Sequence, residues 1–111
     1  QGSVNGDVFV MDMETGEWAM AMVEGEEKPG PRLGASLEAW AGHGWVMCGG
    51  VGPGSAHYSG VWLLTEVQGR QRGEVPAFTW VKLASSSARS SPAPRRCHSA
   101  VITAADEMLV L

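Results

Sequence analysis

The sequence predicts an all-β protein. Short runs of β-forming residues are separated by turn residues about every eight to twelve positions, which is typical of antiparallel sheets. No stretch of useful length shows the 3.6-residue period of an amphipathic helix. The composition agrees, because 44% of the 111 residues are hydrophobic and 15 glycines accompany five tryptophans and six methionines. Such a mixture favours tight turns between heavily packed strands.

Eight strands are predicted. Residues 7–12 and 17–22 form a hairpin, with Gly16 in its turn. An acidic loop from Val23 to Arg32 follows, and we expect its two prolines to keep it out of any strand ladder. The other strands are residues 33–40, 45–50, 60–65, 77–83, 97–103 and 107–111. A polar insert, residues 66–76, separates the sixth strand from the fifth.

The chain contains an internal repeat. A shift of 63 positions places Pro31-Arg32 on Pro94-Arg95 and the run Trp45–Cys48 on Met108–Leu111. A shift of 62 places Trp18 on Trp80, and a shift of 53 places Asp7–Val10 on Gly60–Leu63. The shorter shift indicates an insertion of about nine residues in the loop between residues 66 and 78.

The order of residues within a repeat is distinctive. Pro-Arg is followed by small residues with a serine, two apolar strands ending in Gly-Gly, a strand of the Asp-Val-Phe-Val type and a strand with a tryptophan. This order resembles the kelch repeat over essentially the whole chain. The resemblance is carried by Asp7–Trp18, Pro31-Arg32 with Ser36, Gly49-Gly50, Trp80 and Pro94–Ala100. Ala35 departs from the family, which often has at this position the histidine that His98 supplies in the next repeat.

The resemblance implies a β-propeller, in which four-stranded antiparallel blades surround a central channel. Residues 1–30 would then be the last two strands of one blade with a connecting loop. Residues 31–83 would be a complete blade, and residues 84–111 an inter-blade loop with the first two strands of the next blade. At about 50 residues per kelch repeat, we expect this arc to belong to a larger propeller domain of about 300 residues or more.

Several residues are expected to have structural roles in each repeat. Gly49-Gly50 would allow a close approach of neighbouring backbone where blades converge, and a large ring on a last strand would pack between two sheets. An arginine after the proline would donate hydrogen bonds to loop carbonyls. These structural residues are Trp18, Arg32, Gly49, Gly50, Trp80 and His98, with Arg95 as the counterpart of Arg32.

The candidate partner-binding residues lie in loops that the meander topology places on one face. His57 and Tyr58 occupy a Gly/Pro/Ser loop, where they would contact a partner or, for Tyr58, pack on its own blade. The other candidates are Arg89, Arg95 and Arg96. Residues 1–66 carry a net charge of −7 and residues 67–111 one of +3, so this basic loop would lie near an acidic one. Either the two loops are a solvated rim or they form a groove for a charged peptide.

Other classes of function find little support. A net charge of −4 disfavours nucleic-acid binding, and the longest uncharged run is too rich in glycine for a membrane helix. No secretion leader follows Gln1, and Cys48 and Cys97 lack the spacing of a zinc or redox motif and are expected to be buried small hydrophobes. Ser99 directly follows His98, so on a strand the two side chains point to opposite faces. We therefore expect an intracellular, cytoplasmic protein without catalytic residues, metal or cofactor.

These observations lead to one functional expectation and one alternative. Kelch propellers serve as substrate-recruiting modules of ubiquitin ligases and as domains attached to phosphatases or methyltransferases. The resemblance therefore implies a protein-interaction scaffold or substrate-recruiting module, not an enzyme. It would bind a protein or peptide through its inter-blade loops and need the remainder of the propeller to close the ring. In the alternative, the propeller is attached to an enzyme whose catalytic part lies outside these residues.

Overall fold

The computed structural model describes residues 7–55, 60–67, 74–84 and 100–110. These residues confirm the all-β class, since they contain nine strands and one three-residue 3-10 segment, Pro53–Ser55. No helix among them is therefore long enough to cross a membrane. The strands are β1 (Phe9–Met11), β2 (Trp18–Met20), β3 (Met22–Glu24), β4 (Ser36–Trp40), β5 (Gly44–Cys48), β6 (Val61–Glu66), β7 (Ala77–Ala84), β8 (Ala100–Ile102) and β9 (Met108–Val110).

A five-stranded central sheet has the order β3-β7-β6-β5-β4. Strands β4 to β7 form an antiparallel meander, and β3 is added to its edge in parallel with β7. The turn between β4 and β5 occupies residues 41–43, as the sequence predicts, and Gly44 begins β5. A side chain on Gly44 would collide with the backbone carbonyl of Leu64, so the glycine allows β5 to approach β6 at this end.

Strand β3 corrects the sequence interpretation of residues 17–32. The predicted strand over residues 17–22 is interrupted at the buried Ala21. Strand β3 begins at Met22 and includes Val23 and Glu24, which the sequence places in a loop outside any ladder. The N–H of Met22 donates to the Pro76 carbonyl at 2.8 Å, and the Thr79 hydroxyl donates to the Glu24 carbonyl at 3.3 Å. The prolines do not oppose this pairing because both follow the end of β3.

Two separate hairpins, β1–β2 and β8–β9, accompany the central sheet. The β1–β2 turn is closed by Asp12, whose carboxylate accepts from the N–H of Glu14 at 2.8 Å and whose carbonyl accepts from Gly16 at 2.7 Å. In the β8–β9 turn the Thr103 hydroxyl accepts from the N–H groups of Ala105 and Glu107, both at 3.2 Å. Side chains that hydrogen-bond their own turn explain why these short hairpins form locally.

The pairing within the hairpins repeats the pairing within the central sheet. At the shift of 63, Ala100 opposite Val110 in β8–β9 corresponds to Leu37 opposite Met47 in β4–β5. At the shifts of 53 and 62, β1–β2 corresponds in the same way to β6–β7. The matched pairs are Phe9/Met20 with Trp62/Lys82, Val10/Ala19 with Leu63/Val81 and Met11/Trp18 with Leu64/Trp80. The sequence repeat is therefore also a repeat of strand register.

The main hydrophobic core lies between the β1–β2 hairpin and one face of the central sheet. We call this the front face; it carries Leu64, Phe78 and Trp80, and the hairpin packs Val8, Val10 and Ala21 against it through its inner face. Trp80 also meets the buried Trp62 edge to face, with ring centroids 6.5 Å apart. The back face of the central sheet contains Val46, Cys48, Leu63 and Val81, which alternate with front-face residues along their strands.

Trp18 lies on an exposed face of the β1–β2 hairpin, where 67% of the residue is accessible to solvent. Strand alternation puts Val10 on the inner face of the hairpin and therefore puts Trp18 and its neighbour Met11 on the opposite, outer face. No strand among the described residues covers that outer face. Trp80, in contrast, is partly buried against the core, in keeping with the predicted packing role. Cys48 is buried and free, as expected.

Candidate functional site

A cleft of about 690 Å³ lies between the β1–β2 hairpin and the front face of the central sheet. Its walls are mainly apolar and include Leu37, Leu64 and Trp80. The segment that connects β3 to β4 contributes Lys28 and Arg32, and the hairpin contributes the exposed Asp7. A concave apolar surface with a few charged groups is the usual form of a ligand-binding site.

Arg32 holds the connecting segment against the sheet. Its Nε donates to the Gly30 carbonyl and its Nη1 to the Gly49 carbonyl, both at 3.0 Å, and the side chain is half-buried. These are the hydrogen bonds to loop carbonyls that the sequence predicts for this residue. The planar guanidinium can bridge two carbonyls that belong to different segments, which a lysine ammonium does less well. Arg32 therefore shapes the cleft as well as lining it.

The Gly49-Gly50 pair lies directly against this arginine. A Cβ on Gly50 would stand 3.0 Å from Arg32 Cδ and from the Leu33 carbonyl oxygen, and the backbone has φ +102°. A close approach of two segments is therefore present at Gly50. The neighbour, however, is the segment that enters the same sheet, which pairs through Leu33 and Val51. A neighbouring sheet does not make this approach within the described residues.

The segment that leads to Lys28 carries charges of both signs. Glu24, Glu26 and Glu27 are exposed and precede Lys28, which is also exposed. Three carboxylates in an open segment are solvated individually, so they add a local negative field without a buried ion pair. Lys28 and Arg32 are the two cations of this segment that line the cleft. Arg32 uses its head group to hold the loop, whereas the exposed Lys28 does not.

A second, shallower depression of about 370 Å³ lies at the opposite end of the central sheet, around the β4–β5 turn. His43 is exposed, and its ring stacks on Trp40 with centroids 3.9 Å apart. Trp40 Nε1 donates to the Asp106 carboxylate at 3.0 Å, which ties this turn to the β8–β9 turn. Sequence reasoning missed this contact, although the shift of 63 places His43 on Asp106 and thus pairs the two turns.

The predicted partner-binding residues cannot be placed relative to these features. His57, Tyr58, Arg89, Arg95 and Arg96 all lie outside the described residues, as do His98 and Cys97. Their proposed roles remain predictions. Within the described ranges, no three side chains among His, Cys, Asp and Glu come together as a metal site.

Comparisons of the chain with protein-family models, curated proteins and solved structures found no match.

Proposed function

We propose that the chain is an arc of a kelch-type β-propeller, with residues 31–83 as a complete blade between two half blades. The antiparallel order β4-β5-β6-β7 supports this proposal because it is the strand order of one blade. The shared register supports it further, since each hairpin has the pairing of one half of that sheet. Sheets related by a sequence repeat and packed face to face are the basis of propeller architecture.

The function that this arrangement supports best is a protein-interaction scaffold that binds a peptide segment of its partner. The carrying observation is the cleft between the β1–β2 hairpin and the central sheet. Leu37 and Trp80 offer an apolar wall for a hydrophobic side chain of the peptide, and Lys28 offers a partner for an adjacent carboxylate. The basic loop with Arg89, Arg95 and Arg96 belongs to the same proposal, as a further source of positive charge for an acidic peptide.

Selection from a displayed peptide library tests this proposal. The wild-type chain should enrich peptides with an apolar residue next to an acidic one. Lys28→Ala should weaken binding of the selected peptides about twofold to fivefold, since an exposed ion pair is worth about 1 kcal/mol or less. Lys82→Ala is the matched control, because Lys82 is an exposed lysine outside the cleft that lies over the Trp62 ring. Arg32 is unsuitable for this test because its removal would also release the loop.

Two results would count against the proposal. If no peptide motif is enriched, the chain is not a peptide-binding scaffold. If a motif is enriched but Lys28→Ala and Lys82→Ala behave alike, the peptide binds elsewhere. In that case the triple replacement of Arg89, Arg95 and Arg96 by alanine decides whether the basic loop is the site.

A further inference from the structure

The depression at the β4–β5 turn has aromatic and acidic walls. Its volume is about 370 Å³, and the larger side chains that line it are Trp40, His43, Trp45, Thr65 and Glu66. Not one of the described residues that line it also lines the cleft. The depression is therefore a separate feature of the surface, with a chemistry of its own.

The ring of Trp45 reaches across strand β6. It meets the ring of Phe78 edge to face, with centroids 5.9 Å apart and an angle of 73° between the planes. Trp45 belongs to β5 and Phe78 to β7, so the two rings meet over β6, which runs between these strands. The front-face residues of β6 at this point are Leu64, opposite Trp45, and Glu66, opposite Phe78. The register of the sheet therefore places Glu66 beside the Trp45 ring.

Both Trp45 and Glu66 are accessible to a ligand. Trp45 is 37% exposed, whereas Phe78 is buried and holds the indole from the core side. The indole is thus held in place before a ligand arrives, which lowers the entropic cost of binding. Glu66 is exposed. A carboxylate has about four acceptor sites, so Glu66 can accept from a ligand in addition to its contact within the chain.

The charges at this end of the central sheet favour a cation. The hydrogen bond of 3.0 Å between Trp40 and Asp106 brings a second carboxylate to the β4–β5 turn. The basic residues of the described ranges lie elsewhere, with Lys28 and Arg32 at the cleft and Lys82 over the Trp62 ring. Carboxylates without a neighbouring base create a negative local field, which attracts cationic ligands.

We propose that this depression binds a guanidinium group, as presented by an arginine side chain of a protein partner. The guanidinium stacks on the exposed part of the Trp45 ring, and its N–H groups donate to the Glu66 carboxylate. A shallow, open site suits a planar cation, which lies flat on one ring. A quaternary ammonium group, in contrast, is typically enclosed by a cage of several rings. The proposal does not depend on peptide binding in the cleft.

A series of three ligands tests charge and shape on the wild-type chain. The probes are N-acetyl-arginine amide, its lysine analogue, which has the charge without the plane, and its citrulline analogue, which has a similar plane without the charge. Binding is followed by nuclear magnetic resonance of the tryptophan indole N–H groups. We expect the arginine probe to bind most tightly and the citrulline probe about fivefold more weakly. The Trp45 signal should shift, while that of the buried Trp62 stays in place.

Two variants test the two walls of the site. Glu66→Gln keeps the shape of the side chain without its charge and should weaken binding of the arginine probe about twofold to fivefold. Its matched control is Glu26→Gln, which changes another exposed glutamate. Trp45→Leu should weaken binding by a similar factor, about twofold to fivefold. Its matched control is Trp18→Leu, which removes a more exposed tryptophan from the β1–β2 hairpin.

Three results would overturn the proposal. Equal affinities for the arginine and citrulline probes would mean that the site does not recognise charge, and a tighter lysine probe would mean that it does not recognise the guanidinium plane. If Glu66→Gln and Glu26→Gln behave alike, the cation binds elsewhere. The ligand series and Glu66→Gln remain decisive even if Trp45→Leu unfolds.

A wild-type chain that binds none of the probes would also overturn the proposal. The chain contains Arg70 and Arg72 between β6 and β7, and both lie outside the described residues. If the arginine probe binds only after both are replaced by alanine, the guanidinium comes from this chain and not from a partner.

Discussion

At the residue scale, two glycines determine how closely segments of the central sheet approach each other. Gly44 lets β5 meet the backbone of β6, and Gly50 lets the chain lie against Arg32. Both glycines also adopt positive φ angles, which are costly for residues with a Cβ. Their roles therefore combine a conformational requirement with a steric one.

We expect Gly44→Ala to lower the free energy of unfolding more than Gly42→Ala does, by about 1 to 3 kcal/mol. Both positions have positive φ, but a Cβ at Gly42 would meet nothing within 4 Å whereas one at Gly44 would meet the backbone of Leu64. Urea unfolding of the two variants measures the difference. Equal losses of stability would show that conformational strain alone accounts for the glycine at position 44.

At the element scale, contacts between segments far apart in the chain hold the strands in place. Strand β3 pairs with β7 although more than 50 residues separate Met22 from Ala77. The β8–β9 hairpin is linked to the central sheet by the hydrogen bond between Trp40 and Asp106. Asp106 has φ +62°, a conformation that asparagine and glycine also tolerate.

Replacement of Asp106 should test its acceptor oxygen and its backbone conformation together. Asp106→Asn keeps an acceptor oxygen for the Trp40 N–H and tolerates the backbone conformation, so we expect a change within about 0.5 kcal/mol. Asp106→Ala loses both and should cost about 1 to 2 kcal/mol. Urea unfolding followed by tryptophan emission reports stability and the Trp40 environment together. An alanine variant as stable as the asparagine variant would mean that the contact does not hold the hairpin.

Each of the eight predicted segments contains a strand among the described residues, although residues 17–22 are divided between β2 and β3. Alternation and turn residues are local signals that each segment carries itself. Strand β3 was missed for the opposite reason, since its residues look like the start of a loop until Ala77–Thr79 are beside them. The cleft was equally hidden. Lys28 and Trp80 are far apart in the chain, and only the packing of the hairpin on the front face brings them to one cavity.

At the scale of the whole molecule, stability should be uneven. Strand β6 has neighbours on both sides and carries the buried Trp62 and Leu64, whereas β8 and β9 form a two-stranded sheet of three residues each. Two-stranded sheets are only marginally stable alone.

Amide hydrogen exchange should reveal this gradient. At low protein concentration we expect the amides of β6 to exchange slowest and those of β8–β9 fastest among the described strands, because local opening follows the amount of packed surface. Uniform exchange across all the strands would contradict the gradient.

The sequence by itself determined the strand pairs, because each repeat carries its own alternation, turns and register. The tertiary structure alone decided where those pairs lie. It added β3 to the central sheet, exposed Trp18 on the outer face and joined Trp40 to Asp106. All three depend on residues far away in the chain. A local pattern predicts which face of a strand is apolar. The segment that covers this face depends on the packing of the whole chain.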